Sequence, residues 1–268
     1  MKTFTVGFIG AGNMASAIIE GAISKKTIEA QNIYVFDIDT AKLEELKSAL
    51  NVSIADSLLA LVKNADIILL AVKPNILSMV LQDIKDDIGD KAVVSIAAGW
   101  SADRIKDVIG ADKKVLRLMP NTPLMVGEGM TVIETPHSLT ADEFAFTETM
   151  FSSIGRVEQA PQKLMDAVTA VSGSGPAYVF LFIEALADAG VLCGLPRAQA
   201  IKLASQTVLG AAKMVLDTGS HPGALKDAVC SPGGTTIEAV KSLEQDGFRG
   251  TVIKAAEQCA IKSKAMSN

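Results

Sequence analysis

The chain has 268 residues, a formal net charge of −5 and an apolar share of 49%. That length allows two compact domains, and that apolar share excludes global disorder. No Lys/Arg block stands out, so no nucleic-acid partner is expected. The three cysteines, Cys193, Cys230 and Cys259, lack the close spacings of zinc sites and redox motifs. No metal is therefore expected, and free thiols fit a cytoplasmic location. The N-terminus runs directly into Phe4-Thr5-Val6-Gly7-Phe8-Ile9, so no secretory leader is expected either.

In chain order, short Val/Ile/Leu runs predict strands over residues 5–9, 33–36, 67–72, 92–97, 115–118 and 130–133. Several are continuous rather than alternating, as strands covered on both faces require. Apolar residues at helical spacing predict helices over 14–24, 40–50, 56–63 and 75–84. After Lys163 the pattern becomes helical throughout: 164–192, 197–216, 223–229, 235–246 and 247–266. This predicts an α/β N-terminal domain with a parallel-rich sheet of Rossmann type over residues 1–163. An all-α domain follows over 164–268. The stretch 167–183 holds no charged residue, but Gly173, Gly175 and Pro176 interrupt it and Glu184 follows. It falls short of the ~20 residues of a membrane span. A helix buried on more than one side, as in an oligomer, is expected instead.

Gly10-Ala11-Gly12-Asn13-Met14-Ala15 follows the first strand and opens the first helix. The first glycine permits a tight turn, and the second lets the backbone approach a pyrophosphate at the helix N-terminus. A second strand ending in Asp37 completes the βαβ spacing, and a nicotinamide dinucleotide is the expected cofactor. The candidate cofactor residues here are Ile9, Gly10, Ala11, Gly12, Asn13, Met14 and Asp37. A carboxylate at position 37 would accept the adenosine ribose hydroxyls and repel a 2′-phosphate, which leans toward NADH. Asp37 or Asp39 could equally cap the helix starting near Thr40. Ala71, Val72, Lys73 and Pro74, with Ile96, Ala97 and Ala98, end two further strands where dinucleotides lie.

Ser231-Pro232-Gly233-Gly234-Thr235-Thr236 joins two helical patterns. Free amides at the second helix's start, with hydroxyls beside them, would hold a small carboxylate. An ordinary capped turn has the same composition.

Together these residues resemble the pyrroline-5-carboxylate reductase family. The resemblance covers essentially the whole chain. In the N-terminal half it rests on Phe8-Ile9-Gly10-Ala11-Gly12-Asn13-Met14, Ala71-Val72-Lys73-Pro74 and Met119-Pro120-Asn121-Thr122-Pro123. In the C-terminal half it rests on Val171-Ser172-Gly173-Ser174-Gly175-Pro176-Ala177-Tyr178, His221-Pro222-Gly223-Ala224-Leu225-Lys226-Asp227 and Ser231-Pro232-Gly233-Gly234-Thr235-Thr236-Ile237. The resemblance implies that NADPH or NADH reduces 1-pyrroline-5-carboxylate to L-proline. It implies a substrate carboxylate on the amides of Gly234, Thr235 and Thr236, near Ser231 and Gly233, with the Thr236 hydroxyl facing the ring nitrogen. Asn121 would lie between nicotinamide and substrate. It further implies a homodimer built through the helical domain and assembled into a larger homo-oligomer. Asp37 departs from the small or polar residue of the family's NADPH users.

Two rivals share parts of this plan. A 3-hydroxyacid dehydrogenase needs a Lys or His to take the hydroxyl proton, and the first half of the long helix after residue 164 lacks one. A cofactor-sensing regulator without catalysis would not need the Ser231–Thr236 turn. His137 is expected at the surface in a turn, and His221 at a helix start; neither is expected as a catalytic acid.

Overall fold

The computed structural model describes residues 2–267. In chain order the first part runs β1 (Val6–Ile9), α1 (Asn13–Ser24), β2 (Ile33–Phe36), α2 (Thr40–Leu50), β3 (Ser53–Ile54), α3 (Leu58–Asn64) and β4 (Ile67–Leu70). It continues with α4 (Pro74–Ile84), β5 (Ala92–Ser95), α5 (Ala102–Ile109), β6 (Lys114–Pro120), β7 (Gly129–Thr135), α6 (Ala141–Ser152) and β8 (Gly155–Pro161). Then come α7 (Met165–Val168), a π-helical stretch (Thr169–Gly173), α8 (Gly175–Leu192), α9 (Arg197–Thr218), α10 (Pro222–Val229), α11 (Thr235–Gln245) and α12 (Phe248–Ser267).

The eight strands form one sheet in the order β3-β2-β1-β4-β5-β6-β7-β8. All neighbouring pairs are parallel except β6 with β7. The expected parallel-rich Rossmann-type sheet is present, and the 130–133 run does join it as the antiparallel β7. Two apolar cores cover its faces. Phe8, Leu69 and Val94 point into one, with Ile18 of α1; Ile9, Ile68 and Val93 point into the other, with Leu77 and Leu81 of α4. This double burial is why β1, β4 and β5 read as continuous apolar runs.

Polar contacts fix the far side of the sheet. Lys114 of β6 pairs with Glu143 of α6, whose first turn is closed by a capping box between Thr140 and Glu143. Burial raises the Glu143 carboxyl pKa, but hydrogen bonds from Lys114 and Thr140 outweigh it and hold it below the usual 4.5. A lowered carboxyl pKa stabilises the fold above the unfolded value and loses that contribution as pH falls through the folded one. Lys114→Met is therefore expected to lower the melting temperature at about pH 7, with the deficit shrinking in parallel melting scans as pH falls below the usual carboxyl range and Glu143 protonates.

The chain divides into two compact units, Met1–Ser174 with Cys259–Asn268, and Gly175–Gln258. This division and the change of pattern at residue 163 mark different things. The helical pattern starts with α7, but Met165 is buried with Met119 and Val132 of the sheet. Within the first unit, Ser263 of α12 donates to Asp166 at 2.7 Å. The predicted continuous helix 164–192 is broken, because the Ser174 amide reaches back to the Thr169 carbonyl at 2.8 Å in a π-type turn beside Gly173 and Gly175.

Within the second unit, α8 and α9 pack through small residues: Ala187, Ala200 and Ala204 are buried together. A Cβ on Gly190 would lie 3.1 Å from that of Ala200. Much of α8 is uncovered, with Phe180 62% and Leu181 67% exposed. The burial expected for residues 167–183 is therefore not supplied by this chain, although Gln162–Leu192 is long and apolar enough to cross a membrane by length and composition.

Candidate active site

Strand register places the candidate cofactor residues of the first unit. Ile9 lies opposite Phe36 on one side and Leu70 on the other, and Leu70 lies opposite Ser95. Gly10, Asp37, Ala71 and Ile96 therefore form a row at the carboxyl edge of the sheet. Backbone bonds extend the row: Gly10 N–H to Phe36 O at 2.8 Å, Ala71 N–H to Ile9 O at 2.9 Å, and Ile96 N–H to Leu70 O at 3.2 Å. The chain order reverses at β1, between β2 and β4, which is where open α/β sheets bind dinucleotides.

The two glycines of the turn differ in what they require. Gly10 has φ +108°, and a Cβ there would lie 2.7 Å from the Ala71 carbonyl oxygen, so only glycine fits. A Cβ on Gly12 would meet nothing within 4 Å. Gly12 is also the N-cap of α1 and makes no side-chain cap bond, which leaves the first amides of a 12-residue helix facing that open space. A pyrophosphate fits this cradle.

The structure separates the two aspartates. Asp39 caps α2, accepting from the Ala41 and Lys42 amides, and pairs with Lys42 at 3.3 Å. The Lys42 hydrogen bond holds the Asp39 carboxyl below its usual pKa. Asp37 instead braces the glycine turn: its Oδ2 accepts the Ala11 N–H at 2.7 Å and its Oδ1 the Asp39 N–H at 2.9 Å. Ile38, 89% exposed, brings no cation to the spot.

Lys73 is exposed and precedes Pro74, the first residue of α4. After β5, Ala97 donates to Ser95 Oγ at 3.3 Å, Ile96 and Ala98 stay half-buried, and Gly99 turns the chain with φ +75°. The two loops are tied together by Trp100, whose indole N–H donates to the Pro74 carbonyl at 3.1 Å. In the sequence Trp100 is marked only as the chain's one tryptophan, next to Ala97-Ala98-Gly99. Asn121 is buried and uses both ends of its amide within the protein, donating to Ser172 O at 3.2 Å and accepting from Met130 N–H at 2.8 Å.

In the second unit, Gly233 has φ +66° and Gly234 is the N-cap of the 11-residue α11. A Cβ on Gly234 would overlap the Ser231 hydroxyl, so that hydroxyl sits directly over the turn. The Gly234 N–H donates to Ser231 O at 3.0 Å. Of the three amides expected to hold a carboxylate, those of Thr235 and Thr236 remain. No side chain caps α11, so its first turn offers donors to an anion.

Neither histidine is placed as an acid. His221 caps α10, its Nδ1 accepting the Gly223 N–H at 3.0 Å. His137 is half-buried rather than on the surface, stacked on Phe144 at 4.3 Å between ring centroids. Burial pushes its pKa down, against a smaller opposing pull from Glu148.

Comparison with known proteins gives the site a family. A model described as pyrroline-5-carboxylate reductase dimerisation matches residues 162–266, and one described as NADP oxidoreductase, coenzyme F420-dependent, matches residues 5–99. The pyrroline-5-carboxylate reductase of Escherichia coli is 48% identical over 264 residues, covering 98% of each chain. The chain belongs to the pyrroline-5-carboxylate reductase family. The Arabidopsis thaliana pyrroline-5-carboxylate reductase is 41% identical, covering 99% of this chain and 96% of its own. The Plasmodium falciparum pyrroline carboxylate reductase, solved with NADP bound, shares 35% identity at a TM-score of 0.91 over 100% of both chains. Membership in the pyrroline-5-carboxylate reductase family makes the chain an NAD(P)-dependent oxidoreductase.

Proposed function

We propose that this chain reduces 1-pyrroline-5-carboxylate to L-proline with NAD(P)H, the final step of proline synthesis. The observation that carries the reading is the uncapped start of α11 beside the Ser231 hydroxyl, whose free donors suit a carboxylate. The bound dihydronicotinamide supplies hydride to the C=N carbon.

The remaining work falls to the chain. The Gly10–Gly12 turn and the α1 amides hold the pyrophosphate, while Ala71–Pro74 and Ile96–Ala98 line the cofactor. The Thr235 and Thr236 amides and the Ser231 hydroxyl clamp the substrate carboxylate, and the Thr236 hydroxyl hydrogen-bonds the ring nitrogen. A protonated cyclic imine is already electrophilic, so orientation rather than a strong acid supplies the rate. Asn121 serves by holding the loop after β6.

Residues 1–163 carry the dinucleotide in this reading, and residues 164–268 carry the substrate and the subunit contacts. Phe180, Leu181 and their neighbours are covered by a second copy in a homodimer, which assembles further into a larger homo-oligomer. The free cysteines suit a cytoplasmic location. Asp37 favours NADH, because its carboxylate stands where a 2′-phosphate would come and no cation offsets it.

The test is NAD(P)H oxidation with 1-pyrroline-5-carboxylate beside NAD(P)+ reduction with 3-hydroxyisobutyrate. Turnover with the imine and silence with the hydroxyacid are expected. The reverse pattern would make the chain a hydroxyacid dehydrogenase, and cofactor binding without either turnover would make it a sensor.

A further inference from the structure

The end of α12 reaches the cofactor loops of its own unit. Arg104, on the first turn of α5, donates from Nη1 to the Gly99 carbonyl at 3.1 Å and to the Met266 carbonyl at 3.3 Å. Its guanidinium carbon lies 4.3 Å from the centroid of the Trp100 ring. Trp100 is 6% exposed, and its N–H holds Pro74 O. A Cβ on Gly99 would lie 3.1 Å from Met266 O, so the loop backbone packs closely on the helix end.

We infer that Arg104, Trp100 and the last turn of α12 form a clamp that positions the Ala71–Pro74 and Ile96–Gly99 loops for the dinucleotide. The carbonyls of a helix's last turn have no intrahelical partner and carry the negative end of its dipole. A guanidinium is suited to them: its donors fork, it stays charged, and its flat face stacks on an indole. The Arg104 side chain thereby joins two backbone segments, at Gly99 and Met266, while the indole adds a third at Pro74. Their contacts are to loop backbone and to one another. Their effect is on loop geometry, and they are positioning residues.

The inference rests on the reading that these loops line the cofactor, and the test separates the two. Full-length wild type, Arg104→Ala, Arg104→Lys and Trp100→Phe are titrated with NADH and with NADPH, and KM and kcat are measured with 1-pyrroline-5-carboxylate. Arg104→Ala is expected to weaken binding of the preferred dinucleotide about tenfold, with kcat and the KM for the imine within about twofold. Arg104→Lys keeps the charge but loses the fork and the flat stacking face, and is expected to recover only a minor part of the loss. Trp100→Phe keeps the stacked ring but drops the bond to Pro74, and weakens binding about threefold. In wild type and the Arg104 variants, the single tryptophan gives a second readout. Its emission is quenched by bound dihydronicotinamide, and Arg104→Ala reduces that quenching at saturation because the ring is no longer pinned. Equal affinities and equal quenching across wild type and Arg104→Ala would overturn the clamp alone. A wild type with no saturable dinucleotide binding would overturn the cofactor reading and the clamp with it.

Discussion

Asp37→Ser is expected to change the preferred dinucleotide. In the wild type, kcat/KM with NADH should exceed that with NADPH, and the substitution should move the ratio toward NADPH by roughly 30- to 100-fold. A carboxylate and a phosphate a few ångströms apart near a protein surface repel by a few kcal/mol at an effective dielectric of about 20. Each ~1.4 kcal/mol is tenfold. Asp37 has a second task that complicates a simple charge argument, because it also accepts the Ala11 N–H. Asp37→Asn separates the two: it retains an acceptor for Ala11 but removes the charge, so it should gain with NADPH while keeping more of the NADH rate than serine does. A wild type that strongly prefers NADPH, with a ratio unmoved by either variant, would remove Asp37 from specificity.

The second large effect concerns stability. Arg117 and Glu134 are 3% and 2% exposed, and Arg117 Nη1 donates to Glu134 Oε2 at 2.9 Å. Glu134 Oε1 also accepts the amide of Ala102, the first residue of α5, at 3.2 Å. Arg117 Nε and Nη2 are buried with no hydrogen-bond partner, so among the described residues Glu134 is the carboxylate that neutralises this guanidinium. Removing one member of such a pair leaves an uncompensated buried charge at a cost of about 3–5 kcal/mol. Glu134→Ala should therefore lower the melting temperature by roughly 6–20 °C. Replacing both residues with methionine should cost far less, because the charge leaves with its partner. Comparable losses in the single and double variants would show that shape, not charge, is at stake.

The parts of the fold that the sequence revealed are those where one force dominates. Strands β1, β2, β4 and β5 were legible because burial on both faces leaves nearly unbroken runs such as Ile67-Ile68-Leu69-Leu70. The predicted ends at 72 and 97 ran too far, because Ala71-Val72 and Ile96-Ala97 continue the apolar pattern after leaving the ladder for the cofactor loops. Strand β8 was missed: Gly155-Arg156-Val157-Glu158-Gln159-Ala160-Pro161 is an edge strand, mostly half-buried or exposed, and polar residues break any apolar run. Strand β3 is two residues long, too short for any period. Helices α5 and α6 have local start signals in the sequence rather than long apolar runs, the Ser101 cap and the Thr140/Glu143 capping box.

The candidate site divides in the same way. Both glycine turns were visible as composition, because positive φ and close backbone approach admit little else. Which aspartate caps α2 was not visible, since Asp37 and Asp39 are two residues apart and either is chemically able to do so. Three-dimensional hydrogen bonding decides it. The Gly234 amide is likewise lost to Ser231 O through a turn geometry that residue types alone do not reveal.

The most direct measurement is the fate of the hydride. The purified full-length chain is given 1-pyrroline-5-carboxylate and dihydronicotinamide dinucleotide deuterated at C4 on the transferred face, and the product is read by mass spectrometry and NMR. The account predicts one L-proline per dinucleotide oxidised, with a single deuterium on the ring carbon that was double-bonded to nitrogen. Dinucleotide binding without labelled proline, or dinucleotide oxidation with no deuterium on that ring carbon, would contradict it.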